Sequence, residues 1–194
     1  MGLDMLTNHF SVDENILSEV AQTRARLLES QHLPGWFYTS PDLFEHEINT
    51  IFMKEWLCVG RLEEFPNAGD YTATRIAGEP LLICRGNSGE MNAFRNVCRH
   101  RGVEVASGEG NLAKFTCPYH AWVYDLEGNL MGAPHVKEVK NFDAGSCSLP
   151  RVRIDDWGGY IFVNFDPDCQ DLGDYLDEDD IRDFAAFLQP ENTR

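Results

Sequence analysis

Cys98-Arg99-His100-Arg101-Gly102 and Cys117-Pro118-Tyr119-His120-Ala121-Trp122 decide how this chain of 194 residues is read. Each stretch offers one thiolate and one imidazole, and sixteen residues separate His100 from Cys117. A sulfide-bridged pair of irons needs four protein ligands that converge on two metals from opposite sides. One short loop does not easily wrap both. Two loops at the tips of adjacent β-hairpins do, if each supplies one ligand per iron. The Cys-x-His and Cys-x-x-His spacings let a sharp turn aim both side chains the same way. Gly102 after the first pair and Pro118 inside the second suit tight, non-helical turns.

Two cysteines on one iron and two histidines on the other are the ligands of a Rieske [2Fe–2S] cluster. Neutral imidazoles in place of two thiolates make reduction easier, with potentials of about −150 to +300 mV. Each histidine also keeps a ring N–H that can donate to a partner carboxylate. The same side chains suit a structural Cys2His2 zinc site. Zinc fingers, however, pair Cys with Cys and His with His locally and carry the histidines on a helix. Here each loop mixes the two types between strand-like segments. The expectation is one-electron redox chemistry, with Cys98, His100, Cys117 and His120 as ligands and no acid–base catalytic residue.

The chain resembles the N-terminal part of the α subunit of Rieske non-haem iron oxygenases, the ring-hydroxylating group. The likeness runs from Gly35-Trp36-Phe37-Tyr38 through Phe44, Glu47, Ile51-Phe52, Trp56, Val59-Gly60, Pro66 and Gly69-Asp70-Tyr71. It continues in Asn92-Ala93-Phe94-Arg95-Asn96-Val97-Cys98 and Trp157-Gly158-Gly159-Tyr160-Ile161-Phe162-Val163-Asn164. Respiratory Rieske proteins carry an extra cysteine in each loop; Val103 and Tyr119 stand there instead, and Trp122 replaces a serine that donates to the cluster. Fewer donors to sulfur imply a lower potential. The family usually has glycine at the position of Ala121; a methyl is harmless there unless the backbone needs positive φ.

The resemblance implies an antiparallel β-sandwich, mainly β with flanking helices, with the cluster held by two hairpin loops. It implies electron relay from a ferredoxin or reductase to a mononuclear Fe(II), in a homotrimer or hetero-oligomer with neighbouring oxygenase subunits. That iron is held by two histidines and a carboxylate in a second domain. The remaining histidines, His9, His32, His46 and His135, lack that spacing, so the catalytic iron is expected outside this polypeptide. Aromatic acids and hydrocarbons lead as substrate class, with quaternary amines next. A free-standing Rieske electron carrier is the alternative, and a zinc module a third. Around the cluster, Trp122 either covers it or fills the core. Arg99 and Arg101 dock a partner or pair with surface acids, and Tyr119 packs or donates to a sulfur.

A net charge of −16, from 16 basic and 32 acidic residues, argues against nucleic-acid partners. No apolar run is long enough to span a bilayer, and Met1–Phe10 lacks the basic-then-apolar pattern of a signal peptide. Cytoplasmic location is the default, which argues against a disulfide framework among the 6 cysteines. Cys58 and Cys84 lie in apolar runs and are expected as buried thiols; Cys147 and Cys169 lie in polar loops. Asp166 to Asp183 holds nine acids against Arg182 alone, which reads as a solvated face before a docking site.

Three segments are expected: a helical one over 1–55, the Rieske domain over 56–165 and an acidic helical one over 166–194. Ile16, Leu17, Val20, Leu27 and Leu28 suggest an amphipathic helix over 12–31. Ser40-Pro41 starts a second, with Phe44, Ile48, Ile51, Phe52 and Trp56 as its core stripe. Strands are expected at 56–61, 71–76, 81–85, 91–97, 114–116, 121–125, 151–154 and 159–165, with a turn at Gly86-Asn87-Ser88-Gly89. Leu172, Tyr175, Leu176, Ile181, Phe184 and Phe187 suggest a final helix.

Overall fold

The computed structural model describes residues 14–26, 28–134, 136 and 140–176. Among the described residues, ten strands carry the fold: β1 (Leu57–Arg61), β2 (Asp70–Ile76), β3 (Glu79–Arg85), β4 (Met91–Arg95), β5 (Glu109–Asn111), β6 (Phe115–Thr116), β7 (Val123–Tyr124), β8 (Leu130–Gly132), β9 (Arg151–Trp157) and β10 (Tyr160–Asn164). One sheet has the order β1-β10-β9-β4-β3-β2-β5, the other β6-β7-β8. Every pairing is antiparallel. The mainly-β, antiparallel architecture read from the sequence is the one that forms.

The apolar run Leu81-Leu82-Ile83-Cys84 has a simple cause. Strand side chains alternate between faces, and β3 is covered on both. Leu81 and Ile83 join Ala93, Val152, Ile161, Val163 and Phe165 in one core. Leu82 and Cys84 face the other way, into a core with Phe94, Phe115, Trp122, Tyr124 and Leu126. Cys98 and Cys117 belong to this second core. The face of β3 and β4 that packs on the small sheet therefore also floors the two cysteine loops.

Turn chemistry fixes the register. Ala77 (φ 49°) and Gly78 (φ 90°) join β2 to β3 with both residues left-handed, as a two-residue hairpin of this twist requires. The expected turn at Gly86–Gly89 forms, closed by Gly86 N–H on the Glu90 carbonyl at 2.8 Å. Two strands were not foreseen, β5 and β8. Both are short edge strands of three residues, held by main-chain pairing without an alternating apolar pattern.

The described residues form two compact units, Met1–Ile51 and Phe52–Arg194. In the first, α1 covers Glu14–Thr23, shorter than the helix expected over 12–31. Its apolar spacing lapses after Val20, and Leu28 is 97% exposed. Helix α2 (Pro41–Glu47) has its start where Ser40-Pro41 places it, with Ser40 Oγ accepting from Leu43 N at 3.2 Å. The expected core stripe holds only in part: Trp56 is buried and Ile48 and Phe52 are half-buried, but Phe44 and Ile51 are exposed, and within α2 the buried residue is Leu43. A π-helical turn over Ile48–Phe52 follows α2 and rotates the stripe out of register.

In the second unit, residues after β10 stay on the strand block. Lys54 Nζ meets Asp166 Oδ2 at 2.8 Å, and Arg153 Nη2 meets Asp171 Oδ1 at 2.5 Å. Trp56 Nε1 donates to the Gln170 carbonyl at 3.1 Å, and α3 (Leu172–Tyr175) buries Leu172. Among the described acids of this run, Asp166 and Asp171 thus form ion pairs rather than a purely solvated face. The rest of the expected final helix, beyond residue 176, lies outside the described residues. Cys84 is buried as expected, and burial pushes its thiol up to about 12. Cys58 is exposed instead, because β1 is an edge strand.

Candidate metal centre

The two loops share one backbone frame although their spacings differ. Cys98 N–H donates to the Val103 carbonyl at 2.8 Å, and Gly102 N–H to the Cys98 carbonyl at 2.9 Å. Likewise, Cys117 N–H donates to the Trp122 carbonyl at 2.8 Å, and Ala121 N–H to the Cys117 carbonyl at 3.0 Å. In both loops the residue that closes the frame is left-handed, Gly102 at φ 73° and Ala121 at φ 55°. The backbone at Ala121 does need positive φ, so its methyl is strained. Left-handed backbone costs roughly 1–2 kcal/mol for an L-residue.

The frame separates sulfur from nitrogen. Cys98 and Cys117 are 2% and 3% exposed, whereas His100 is exposed and His120 half-buried. The two imidazoles meet edge to face, with ring centroids 4.7 Å apart and planes at 70°. The four residues expected as ligands therefore come together as two buried thiols with two imidazoles toward the surface.

Tyr124, which the sequence reading did not single out, lies beneath the thiols. Its hydroxyl is 3.3 Å from Cys98 Sγ and accepts the Arg99 backbone N–H at 3.1 Å. A backbone N–H only donates, so the phenolic hydrogen is free to point at the sulfur. Burial, reinforced by the bond to Cys98, pushes the phenol well above its ordinary value and keeps that hydrogen in place. Asn96, also buried, ties down the stretch after the first loop. Its Oδ1 accepts from Val105 N at 2.9 Å and Ala106 N at 3.2 Å, and its Nδ2 donates to the Ala106 carbonyl at 2.8 Å.

His120 Nδ1 is buried without a hydrogen-bond partner. Such an atom costs about 1–3 kcal/mol unless something else takes its lone pair. Burial, with the His100 and Arg101 charges, lowers the His120 pKa and keeps the ring neutral and able to coordinate. Among the described residues, no three Cys, His, Asp or Glu side chains gather round one point at single-ion distances. A two-iron core asks for only two protein ligands per metal, and the donors present fit it.

The Rieske [2Fe–2S] domain family matches residues 55–143. The chain carries a Rieske [2Fe–2S] domain. Its Rieske domain and flanks are 42% identical over 149 residues to the carnitine monooxygenase oxygenase subunit of Escherichia coli K12, covering 76% of this chain and 40% of that relative. They are 37% identical over 152 residues to the biphenyl 2,3-dioxygenase α subunit of Rhodococcus jostii RHA1, covering 73% of this chain and 31% of that one. Among solved structures, a quaternary ammonium Rieske monooxygenase in complex with L-carnitine superposes with a TM-score of 0.73 at 36% identity, over 80% of this chain and 45% of that chain. The chain thus spans about 40% of the length of the carnitine monooxygenase subunit it matches.

Four residues flank His100 and His120. Trp122 both fills the core and covers the site: it is 6% exposed and stacks on His100 at 4.9 Å with planes 5° apart. Tyr119 packs on the His120 ring at 3.8 Å and is 55% exposed. Arg99 and Arg101 are exposed, and no ion pair links either to a described acid. Tyr124 and Asn96 had a faint signal in the sequence. Tyr124 lies two residues past Trp122 on a strand, so it shares its inward face, and Asn96 immediately precedes the first loop.

Proposed function

We propose that this chain is the electron-relay part of a Rieske oxygenase subunit, taking electrons from a ferredoxin or reductase for a mononuclear iron elsewhere. The observation that carries the reading is the separation in the paired loops, two buried thiols inside and two imidazoles outside. Cys98 and Cys117 would hold the inner iron; His100 and His120 would hold the outer one, His120 through its unpartnered Nδ1. When bound, the [2Fe–2S] group supplies a one-electron couple.

The residues of the chain do the rest. The apolar floor around Cys98 and Cys117 excludes water from the sulfurs. Tyr124 donates a hydrogen bond to Cys98 Sγ and so stabilises added negative charge. The exposed His100 keeps a ring nitrogen toward solvent, where a partner carboxylate can meet it. Arg99 and Arg101 beside it offer cationic anchors to an acidic partner. Neighbouring oxygenase subunits, in a homotrimer or hetero-oligomer, and a cytoplasmic setting belong to the same reading. Among the described residues, no helix is long and apolar enough to cross a membrane.

The carnitine relative shares 42% identity and the biphenyl relative 37%. Quaternary amines therefore move ahead of aromatic compounds as the proposed substrate class, reversing the order expected from sequence. A free-standing Rieske carrier is the second reading; the likeness beyond the strand block on both sides favours the oxygenase. Prepared with iron and sulfide, the 194-residue chain should hold two irons and two acid-labile sulfides. It should bleach with dithionite and hydroxylate nothing by itself. A colourless protein carrying one zinc ion would overturn the proposal.

A further inference from the structure

We infer that Trp122 is a positioning residue for His100, fixing the plane of the imidazole through ring stacking across the two loops. The inference rests on the reading of His100 as a ligand. A ligating histidine is ordinarily oriented by a hydrogen bond from its other ring nitrogen to a carboxylate or carbonyl. Among the described residues, none hydrogen-bonds the His100 ring. Its aromatic contacts among the described residues are His120, edge to face at 4.7 Å, and Trp122, stacked at 4.9 Å.

Trp122 is built to hold such a plane. Its carbonyl accepts the Cys117 N–H at 2.8 Å, so its backbone belongs to the second loop's frame. Its indole is buried at 6% exposure. Phe142 braces it edge-on, with centroids 6.0 Å apart and planes at 88°. The indole and imidazole planes agree within 5°. Trp122 thus belongs to one loop through its main chain and to the other through its ring. His100 is exposed, so with its plane set by stacking its outer edge can meet another protein.

The test compares Trp122→Phe with Trp122→Met in the full chain loaded with iron and sulfide. Phenylalanine keeps an aromatic face, and methionine fills apolar volume without one. Trp122→Met should broaden the electron paramagnetic resonance signal of the reduced protein and lose iron to a chelator on the order of tenfold faster. Trp122→Phe should restore both toward the parent. Thermal melting of the two variants measures the packing contribution separately. Equal line widths in all three proteins, or equal broadening in both variants, would overturn the inference. If Trp122→Met does not load, Phe142→Leu removes the brace and should give partial broadening; a parental line width there would count against stacking. Should the parent chain itself show no [2Fe–2S] signal, the functional reading fails instead.

Discussion

A single hydroxyl sets the electrostatics of the buried side of the site. The Tyr124 hydroxyl lies 3.3 Å from Cys98 Sγ and accepts the Arg99 N–H; against a ligating thiolate, which can only accept, the phenol is the donor. A hydrogen bond to sulfur favours the reduced, more negative state. Tyr124→Phe should therefore lower the reduction potential. One-electron chemistry gives 59 mV per tenfold in equilibrium, and a bond of about 1 kcal/mol predicts a fall on the order of 50 mV. Redox titration followed by visible absorption checks it; an unchanged potential would remove Tyr124 from the account. Ala121 is the other telling residue. The four candidate ligands could be picked out of the sequence because thiol and imidazole chemistry is written in residue type. The strain at Ala121 was not, since φ 55° becomes visible only once the loop closes on the Cys117 carbonyl. Ala121→Gly should raise stability by about 1 kcal/mol, read as a higher denaturant midpoint; a lower midpoint would mean that the methyl stabilises the loop.

Among the elements, the central strands were readable and the edges were not. Leu81 to Cys84 announce a strand because both faces of β3 are covered. Glu109-Gly110-Asn111 gave no sign of β5, whose residues are all exposed and held by the backbone of β2. Similarly, the periodic stripe from Phe44 onward predicted a continuous buried face, which forms at Trp56 but not at Phe44 or Ile51; a π-helical turn interrupts it, and hydrophobic spacing does not report a change of helical pitch. The turn between β7 and β8 shows what packing adds. A Cβ on Gly128 would lie 2.4 Å from Phe94 Cε1, and φ there is 82°. Phe94 is fully buried in the core that floors the cysteine loops. Gly128→Ala combines overpacking, about 1–3 kcal/mol, with left-handed strain of about 1–2 kcal/mol. Chemical denaturation should show a loss of roughly 2–5 kcal/mol; a loss below about 1 kcal/mol would show that Phe94 moves aside freely.

Over the whole molecule, charge is distributed against its own average. The chain carries −16, yet no described carboxylate pairs with Arg99 or Arg101, beside an exposed imidazole. Arg61, Arg75, Arg95 and Arg153, by contrast, each face a carboxylate. On the proposed reading, these two cations beside His100 would steer an acidic partner to the histidine edge, and such steering weakens with salt. Reduction by an acidic ferredoxin should slow as ionic strength rises. Arg99→Gln with Arg101→Gln should cut the low-salt rate about tenfold and flatten the salt dependence, with dithionite reduction unaffected. Stopped-flow absorbance measures both; an unaltered salt slope would place docking elsewhere.

In the proposed centre ligation is unequal, sulfur at one iron and imidazole at the other. Pulsed electron paramagnetic resonance of the dithionite-reduced chain, grown with and without 15N-histidine, tests it most directly. Two imidazole nitrogen couplings that change with the label, both present in the parent and one lost in His100→Ser, are the predicted result. A reduced centre without histidine nitrogen coupling, or the absence of any paramagnetic centre in an iron- and sulfide-loaded chain, would contradict it.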